Sequence, residues 1–311
     1  MNKPIRIGVV GLGKIAQAQH LPEIAANENF ELAFVVDRAV ELDLDVPSFK
    51  SLSDALNADM PFDAISVCTS PQVRYELCEL LFETDAAILL EKPAASNYAL
   101  ARDIEKRARD MNQCLFATWH SRFAPHIQAA TEWVAENELQ SGQITWRENV
   151  RKWHPGQDWI WRDGGFGVFD PGMNALSILT QIVPVHWSLG SAELQIPNNV
   201  ETPNRATFTL KHRHIEVGAH FEFHEHDEDD WTIRLTSKNG GLLELYDGGA
   251  GLRINNKSVK MCNPLEEYAL VYQRFYDLIK LHQIDCDLAP LRIIEDIVEA
   301  ATVVTNQPIT I

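Results

Sequence analysis

Three short stretches of the sequence place residue types at spacings that could do chemistry. The first is Gly11-Leu12-Gly13-Lys14-Ile15-Ala16, whose G-x-G-x-x-A spacing follows the apolar run Ile5–Val10 and should open a helix. There Gly11 permits a sharp turn, Gly13 lets the backbone approach an anion without a Cβ in the way, and Ala16 lets the helix lie close to the strand. The N–H groups at the helix start, at Lys14 and Ile15, then face a diphosphate. The second is Asp37, which closes the strand ELAFVVD where a carboxylate can accept hydrogen bonds from an adenosine ribose. A carboxylate at that point repels a 2′-phosphate and favours NAD, while the adjacent Arg38 could pair with that phosphate or stack on adenine and so leaves NADP open. The third is Glu91-Lys92-Pro93, where the buried-looking strand AILL ends abruptly in a charged pair and a proline. Ligands of open α/β sheets bind beyond the carboxyl ends of the strands, which is where Lys92 stands; Pro93 stiffens the exit, and Glu91 positions the ammonium or caps a neighbouring turn. Each stretch also has a plainer reading, as a glycine loop, a strand-ending carboxylate or a solvated lysine. Their order along the chain favours a dinucleotide site.

The elements that must position them form an α/β pattern. Ile5–Val10, Leu32–Val36, Ala64–Cys68, Ala86–Leu90 and Cys114–Thr118 read as strands, and Leu52–Ala58, Val73–Phe82 and Tyr98–Met111 as the intervening helices. Strand, helix, strand implies a doubly wound parallel sheet, expected to end near residue 121. Beyond it, after a helix around His126–Glu136, the segments Gln143–Val150, Arg205–Leu210, Ile215–His224, Thr232–Ser237, Leu242–Tyr246 and Leu252–Ile254 alternate like strands of a half-exposed sheet. Asn239-Gly240-Gly241 and Asp247-Gly248-Gly249 are hairpin turns in this reading. Pro264 precedes an amphipathic stretch through His282, and Pro290 precedes a last helix over Leu291–Val304. The expected organisation is therefore two domains, residues 1–121 and 122–311, the second an α+β domain with a large, mostly antiparallel open sheet.

Composition narrows the function classes. A chain of 311 residues, 45% of them hydrophobic, can bury two sizeable cores. It contains no apolar run long enough to cross a bilayer, and MNKPIRIGVV leads straight into a charged strand, so a cytoplasmic location without membrane contact is expected. The cysteines, Cys68, Cys78, Cys114, Cys262 and Cys286, are scattered and include no C-x-x-C pair, which indicates reduced thiols rather than disulfides or a zinc ribbon. A formal net charge of −17 opposes contact with the phosphate backbone of nucleic acid.

With E-K-P reached, the chain resembles the Gfo/Idh/MocA oxidoreductase family over nearly its whole length. In that family an amino-terminal Rossmann domain ends a strand in E-K-P with the lysine at the substrate, and a carboxy-terminal α/β domain supplies the rest of the site and commonly an oligomer face. Three longer strings, FATWHSR from Phe116, RKWHPGQDWIW from Arg151 and GVFDPGMNALSI from Gly167, look like those of bacterial aldose 1-dehydrogenases of the L-arabinose/D-galactose type. The resemblance implies an NAD(P)-dependent enzyme that oxidises the anomeric carbon of a cyclic aldose to the lactone, with no metal and with a homo-oligomer formed through the carboxy-terminal sheet.

That chemistry needs one proton acceptor and a stabiliser for the developing C1 alkoxide. A carboxylate is already in its basic form at neutral pH whereas an ammonium is not. Asp170 is therefore assigned proton acceptance, and Lys92 hydrogen-bonding and electrostatic stabilisation. Asn174 lies four residues after Asp170, so both face one way if a helix begins at this Gly/Pro turn; many family members have histidine at the second position, which asparagine cannot replace as a titrating group. His120, Glu148, His154 and Asn174 are by resemblance contacts to sugar hydroxyls, and Trp153 stacks on the ring, with Trp159 and Trp161 partly lining and partly supporting the pocket. The cofactor residues are Gly11, Gly13, Lys14, Ile15, Asp37, Arg38, Glu91 and Lys92.

One further cluster, His212, His214, His220, His224 and His226 with the acidic run Asp227–Asp230, lacks any recognised metal spacing and reads as a solvated hairpin. Two rival functions stay open: a sugar or dinucleotide sensor of the same fold that performs no chemistry, and a polyol or inositol dehydrogenase.

Overall fold

Short runs of Val, Ile, Leu and Ala that are apolar on both faces can only be buried between two layers of helix, and this dictates the first sheet. The computed structural model describes residues 3–261 and 266–309, so Cys262 and Pro264 lie outside the described residues. Strands β1 (Ile5–Val10), β2 (Phe30–Val36), β3 (Ser48–Phe49), β4 (Ala64–Val67), β5 (Ala87–Leu90) and β6 (Leu115–Ala117) pair in the order β6-β5-β4-β1-β2-β3, and the two-residue strand Ile284–Asp285 adds to the β6 edge. Every pairing is parallel. This is the Rossmann order, with the change of direction between β1 and β4, where a dinucleotide crevice opens at the carboxyl ends. Helices α1 (Leu21–Ala26), α2 (Leu52–Asn57), α3 (Arg74–Leu81) and α4 (Tyr98–Asp110) connect these strands. Ser51 and Asn97 cap α2 and α4 by accepting the Asp54 and Leu100 N–H groups, which explains the sharp starts of both helices.

The chain divides into two compact units, Met1–His120 with Glu266–Leu288, and Ser121–Leu265 with Ala289–Ile311. Residues 266–288 thus cluster with the first unit, in place of an uninterrupted second domain over 122–311.

The second unit holds a nine-stranded sheet. In chain order β7 is Leu139–Asn149, β8 Ser188–Pro197, β9 Arg205–His212, β10 Ile215–His224, β11 Asp230–Ser237, β12 Leu242–Tyr246, β13 Gly251–Ile254 and β14 Lys257–Ser258; Ile284–Asp285 is β15 and Thr302–Asn306 is β16. The order is β14-β13-β12-β11-β7-β10-β9-β8-β16, antiparallel except for β7 with β10 and β8 with β16. On one face lie α5 (Ile127–Glu136), α7 (Phe169–Ile182) and α9 (Ala289–Ala300); the short α6 (Val150–Trp153) follows β7, and α8 (Glu267–Leu281) belongs to the first unit. Helix α7 is buried along nearly its whole length and packs on β7 and β11. Gly172 also lets the helix come close to β10, because a Cβ there would stand 2.4 Å from the Phe221 ring.

Several elements differ from expectation. The last helix stops at Ala300, and Thr302-Val303-Val304-Thr305, which was expected to continue it in part, pairs as β16 instead. A β-branched run is stiff in a helix and suits a strand. Strand β8 escapes notice because SLGSAELQ alternates weakly, and β3, β14 and β15 are too short to show a period.

Candidate active site

In the first unit the glycine turn has the geometry its spacing requires. Gly11 sits at φ +91°, and a Cβ there would meet the Thr69 nitrogen at 2.8 Å, so neither the conformation nor the space admits a side chain. A Cβ on Gly13 would meet nothing within 4 Å, which leaves open space at the start of the helix. Asp37 accepts from the Leu12 N–H at 2.7 Å through one oxygen, and from Ala39 and Val40 N–H at 2.9 and 2.8 Å through the other. Burial would raise the carboxyl pKa, but those three N–H groups and the charge of Arg38 hold it below its usual value. An ionised carboxylate has about four acceptor positions. Three are taken here, so one remains for a ribose hydroxyl.

The Thr69 and Thr118 hydroxyls, just beyond β4 and β6, are buried without a hydrogen-bond partner. Orphaned hydroxyls, open space at Gly13 and an N-terminal helix turn at the β1–β4 switch point are what a dinucleotide phosphate and nicotinamide end require. The residues present therefore fit NAD(P).

At the end of β5, Glu91 turns inward. It is 2% exposed; one oxygen accepts from Tyr268 Oη at 2.6 Å and pairs with His20 Nε2 at 3.0 Å, while the other accepts the Lys92 N–H at 3.0 Å. The His20 ring is fully buried, with its other nitrogen 2.9 Å from Tyr272 Oη and 3.0 Å from Ser66 Oγ. Burial alone would favour neutral imidazole, but Cys68, Tyr272 and Glu91 around the ring raise its pKa well above the ordinary value. Burial alone would likewise raise Glu91, yet the His20, His120 and Tyr268 groups lower it far below the carboxylate range. The pair is therefore ionic. Arg74, itself buried, donates to the carbonyls of Thr69, Glu91 and Pro93 and so ties the exits of β4 and β5 together; the Lys92–Pro93 peptide is cis. His120 Nδ1 lies 2.7 Å from Glu267 Oε2, and its ring stacks on Tyr268 at 5.8 Å.

In the second unit a different polar centre forms. Glu148, near the end of β7 and 4% exposed, is 3.0 Å from His154 Nε2 through one oxygen and accepts from Trp231 Nε1 at 3.1 Å through the other. His154 Nδ1 is 3.1 Å from Gln157 Oε1 and 3.8 Å from Asp170 Oδ2. Burial would lower the His154 pKa, but hydrogen bonding to Glu148 and the Asp170 charge raise it above the usual value. Asp170, 5% exposed, stands in the first turn of α7, and Asn174 follows one turn on with its buried Oδ1 unpartnered. Trp153 donates to Asp229 at 2.9 Å, packs on Trp231 at 5.1 Å and lies under the Lys152 ammonium, which also pairs with Asp229 at 2.7 Å. Trp161 is core and meets Phe223 edge-on, while Trp159 is half-buried.

Similarity to known proteins bears on identity. A family model described as an oxidoreductase family with an NAD-binding Rossmann fold matches residues 5–118. The galactose 1-dehydrogenase of Pseudomonas fluorescens is 42% identical over 296 residues, 94% of this chain and 95% of that protein. The chain belongs to the Gfo/Idh/MocA oxidoreductase family. The crystal structure of a D-galactose-1-dehydrogenase from Rhizobium etli superposes with a TM-score of 0.93 at 36% identity, covering 100% of this chain and 99% of the other. An inositol 2-dehydrogenase of Rhizobium meliloti is more distant, at 27% identity over 52% of this chain and 50% of its own length.

In this Gfo/Idh/MocA member the structure brings Glu148, His154 and Asp170 together, seats Asp37 under the glycine turn and joins Glu91 to Lys92. It draws His120 to Glu267. The sequence reading missed His20, Tyr268, Tyr272, Trp231 and Asp229, all of which act through tertiary contacts. Asp229, expected in a solvated hairpin, is only 13% exposed and anchors Lys152 and Trp153. Among the histidines beside it, His212 and His214 meet backbone carbonyls and His220 meets Thr207 and Glu222; no group of metal-capable side chains forms among the described residues. No helix among the described residues is long and apolar enough to cross a membrane.

Proposed function

We propose that this oxidoreductase is an aldose 1-dehydrogenase of the D-galactose type, which oxidises the anomeric carbon of a cyclic sugar to the lactone. The observation that carries the reading is the buried Asp170–His154–Glu148 cluster, in a chain that matches two galactose dehydrogenases along almost its full length. A neutral, hydroxyl-rich ring needs buried acceptors, and this cluster presents three carboxylate or imidazole groups beside the unpartnered Asn174 oxygen.

A bound nicotinamide dinucleotide supplies the hydride acceptor. The Gly11–Ile15 turn binds the diphosphate, and Asp37 with Arg38 the adenosine ribose, with NAD favoured by the carboxylate. Asp170 takes the proton of the C1 hydroxyl and Lys92 stabilises the oxygen as it develops charge. His154, held between Glu148 and Asp170, orients both carboxylates and contacts a ring hydroxyl, while Glu148 and the Asn174 oxygen accept from others. Trp153 covers the apolar face of the ring. In the same reading His120 is a contact to a sugar hydroxyl. The proposal includes a cytoplasmic homo-oligomer joined through the carboxy-terminal sheet, whose outer face carries the Arg205–Glu222–His220 ion pairs.

The test is to incubate the protein with NAD or NADP and a panel of aldoses and inositols and follow reduced-cofactor absorbance. D-Galactose should give the largest rate, with D-fucose and L-arabinose slower by up to about 10–200-fold, since a pocket separates such C5 substituents by about 1–3 kcal/mol. Binding without reduction would make the protein a sensor. Faster turnover of inositols would move it to the polyol branch. Light scattering tests the oligomer.

A further inference from the structure

We infer that His20 is a positioning residue for Lys92 and acts on it through Glu91. The inference rests on the proposed role of Lys92 but concerns a different part of the molecule, the interior behind the lysine turn. His20 is carried by the helix that leaves the glycine turn, in a segment, Ala16–His20, wound as a π-helix. Such wider turns re-aim the side chains that follow. Here the outcome is a ring with no exposure, locked between Ser66 on β4, Tyr272 on α8 and Glu91 at the end of β5.

Glu91 has two sides with two tasks. One oxygen is held by His20 and Tyr268, and the other accepts the backbone N–H of Lys92 at 3.0 Å. Fixing the carboxylate therefore fixes the peptide from which the lysine side chain departs. Stability does not account for the arrangement, since a buried ion pair is commonly matched or bettered by apolar side chains of the same volume. A charged pair whose last free oxygen points at the Lys92 peptide is accounted for by positioning. Arg74 secures the carbonyls of the same turn, so the turn is gripped on its N–H by Glu91 and on its C=O groups by Arg74.

The experiment compares native protein with His20→Phe, His20→Gln and Tyr268→Phe by amide hydrogen exchange and steady-state kinetics. In His20→Phe the Lys92 amide should exchange about tenfold faster or more while Ile88 and Leu89 stay protected, the mark of a local opening. The kcat should fall by about 100-fold, the scale of a misplaced catalytic group, with the sugar KM changed by less than about threefold. His20→Gln, whose amide can still donate to Glu91, should recover much of both. Unchanged exchange at Lys92, an unchanged kcat, or a uniform loss of protection along β5 would overturn the inference. If His20→Phe does not fold, Tyr268→Phe removes one donor from Glu91 and should move both readouts in the same direction by less; no movement overturns it. Should no aldose be oxidised by native protein, the functional reading fails, and the exchange rate at Lys92 still decides whether His20 holds the turn.

Discussion

The two carboxylate–histidine pairs are alike in distance and unlike in everything around it. His20–Glu91 and His154–Glu148 both stand at 3.0 Å. Around the first, Tyr268, Tyr272, Ser66 and the Lys92 N–H surround both side chains with protein partners, and the ring is fully buried. Around the second, His154 retains 12% side-chain exposure, its second nitrogen lies between Gln157 and Asp170, and the nearby Asn174 Oδ1 lacks a partner. A saturated polar network makes a rigid frame, whereas one with acceptors left over makes a site that a hydroxylated ligand completes. The same pair of residue types is thus saturated by protein partners in one unit and, under the proposed function, left to recognise the sugar in the other.

The largest effects that sharpen this comparison come from the proposed proton acceptor and its stabiliser. Asp170→Asn should lower kcat by about 10²–10⁴-fold in a protein that melts normally, as expected when a proton acceptor is removed. Lys92→Ala should lower it by about 10²–10³-fold, the scale of one lost electrostatic stabiliser. Near-native turnover in either variant would remove that residue from the mechanism.

Next come the histidines themselves. His20→Ala leaves Glu91 buried without its counter-ion and should reduce unfolding free energy by about 3–5 kcal/mol in denaturant titrations. His154→Ala should instead raise the sugar KM by about tenfold, the equivalent of one lost hydrogen bond, with the smaller stability change of the two. Equal stability losses would erase the distinction between frame and site.

The pH dependence separates them further. Histidine in an unfolded chain titrates near 6.5 and glutamate near 4.3. Because folding raises His20, its contribution is complete below about pH 6.5 and is lost as pH rises through the higher folded value. Because folding lowers Glu91, its contribution is present above about pH 4.3 and is lost as pH falls through the lower folded value. Melting temperatures of the native protein should therefore fall on both sides of a plateau between about pH 4.3 and 6.5, and His20→Phe should flatten the alkaline limb. His154 is raised too, so His154→Asn should remove a smaller part of the same limb. Parallel curves for native protein and His20→Phe would contradict the ionic pair.

The smallest effect belongs to the support of Trp153. Asp229→Asn keeps an acceptor for the indole N–H but loses the Lys152 charge pair, and should raise the sugar KM by about two- to threefold without altering melting, because partly exposed ion pairs contribute about 1 kcal/mol or less. A larger change would place Asp229 nearer the chemistry.

What the amino-acid order determined alone is local. Gly11 and Gly13, the apolar runs of β1, β4 and β5, and the hairpin glycines at 240 and 248 announce their conformations because backbone sterics and burial on both faces act within a few residues. The pairing of β7 with β10, the strand fate of Thr302–Asn306 and the association of residues 266–288 with the first unit were decided by tertiary structure, since each depends on which distant surface needs a partner. The same holds within the site. Lys92, Asp170, Glu148 and His154 are visible as charged residues in recognisable strings, but their surroundings come from His20, Tyr268, Trp231 and Asp229, each more than 70 residues along the chain from the side chain it holds, Tyr268 furthest of all. Whether a buried carboxylate stiffens a turn or awaits a hydroxyl is set by how many of its acceptor positions the folded chain fills, and only the assembled neighbours determine that number.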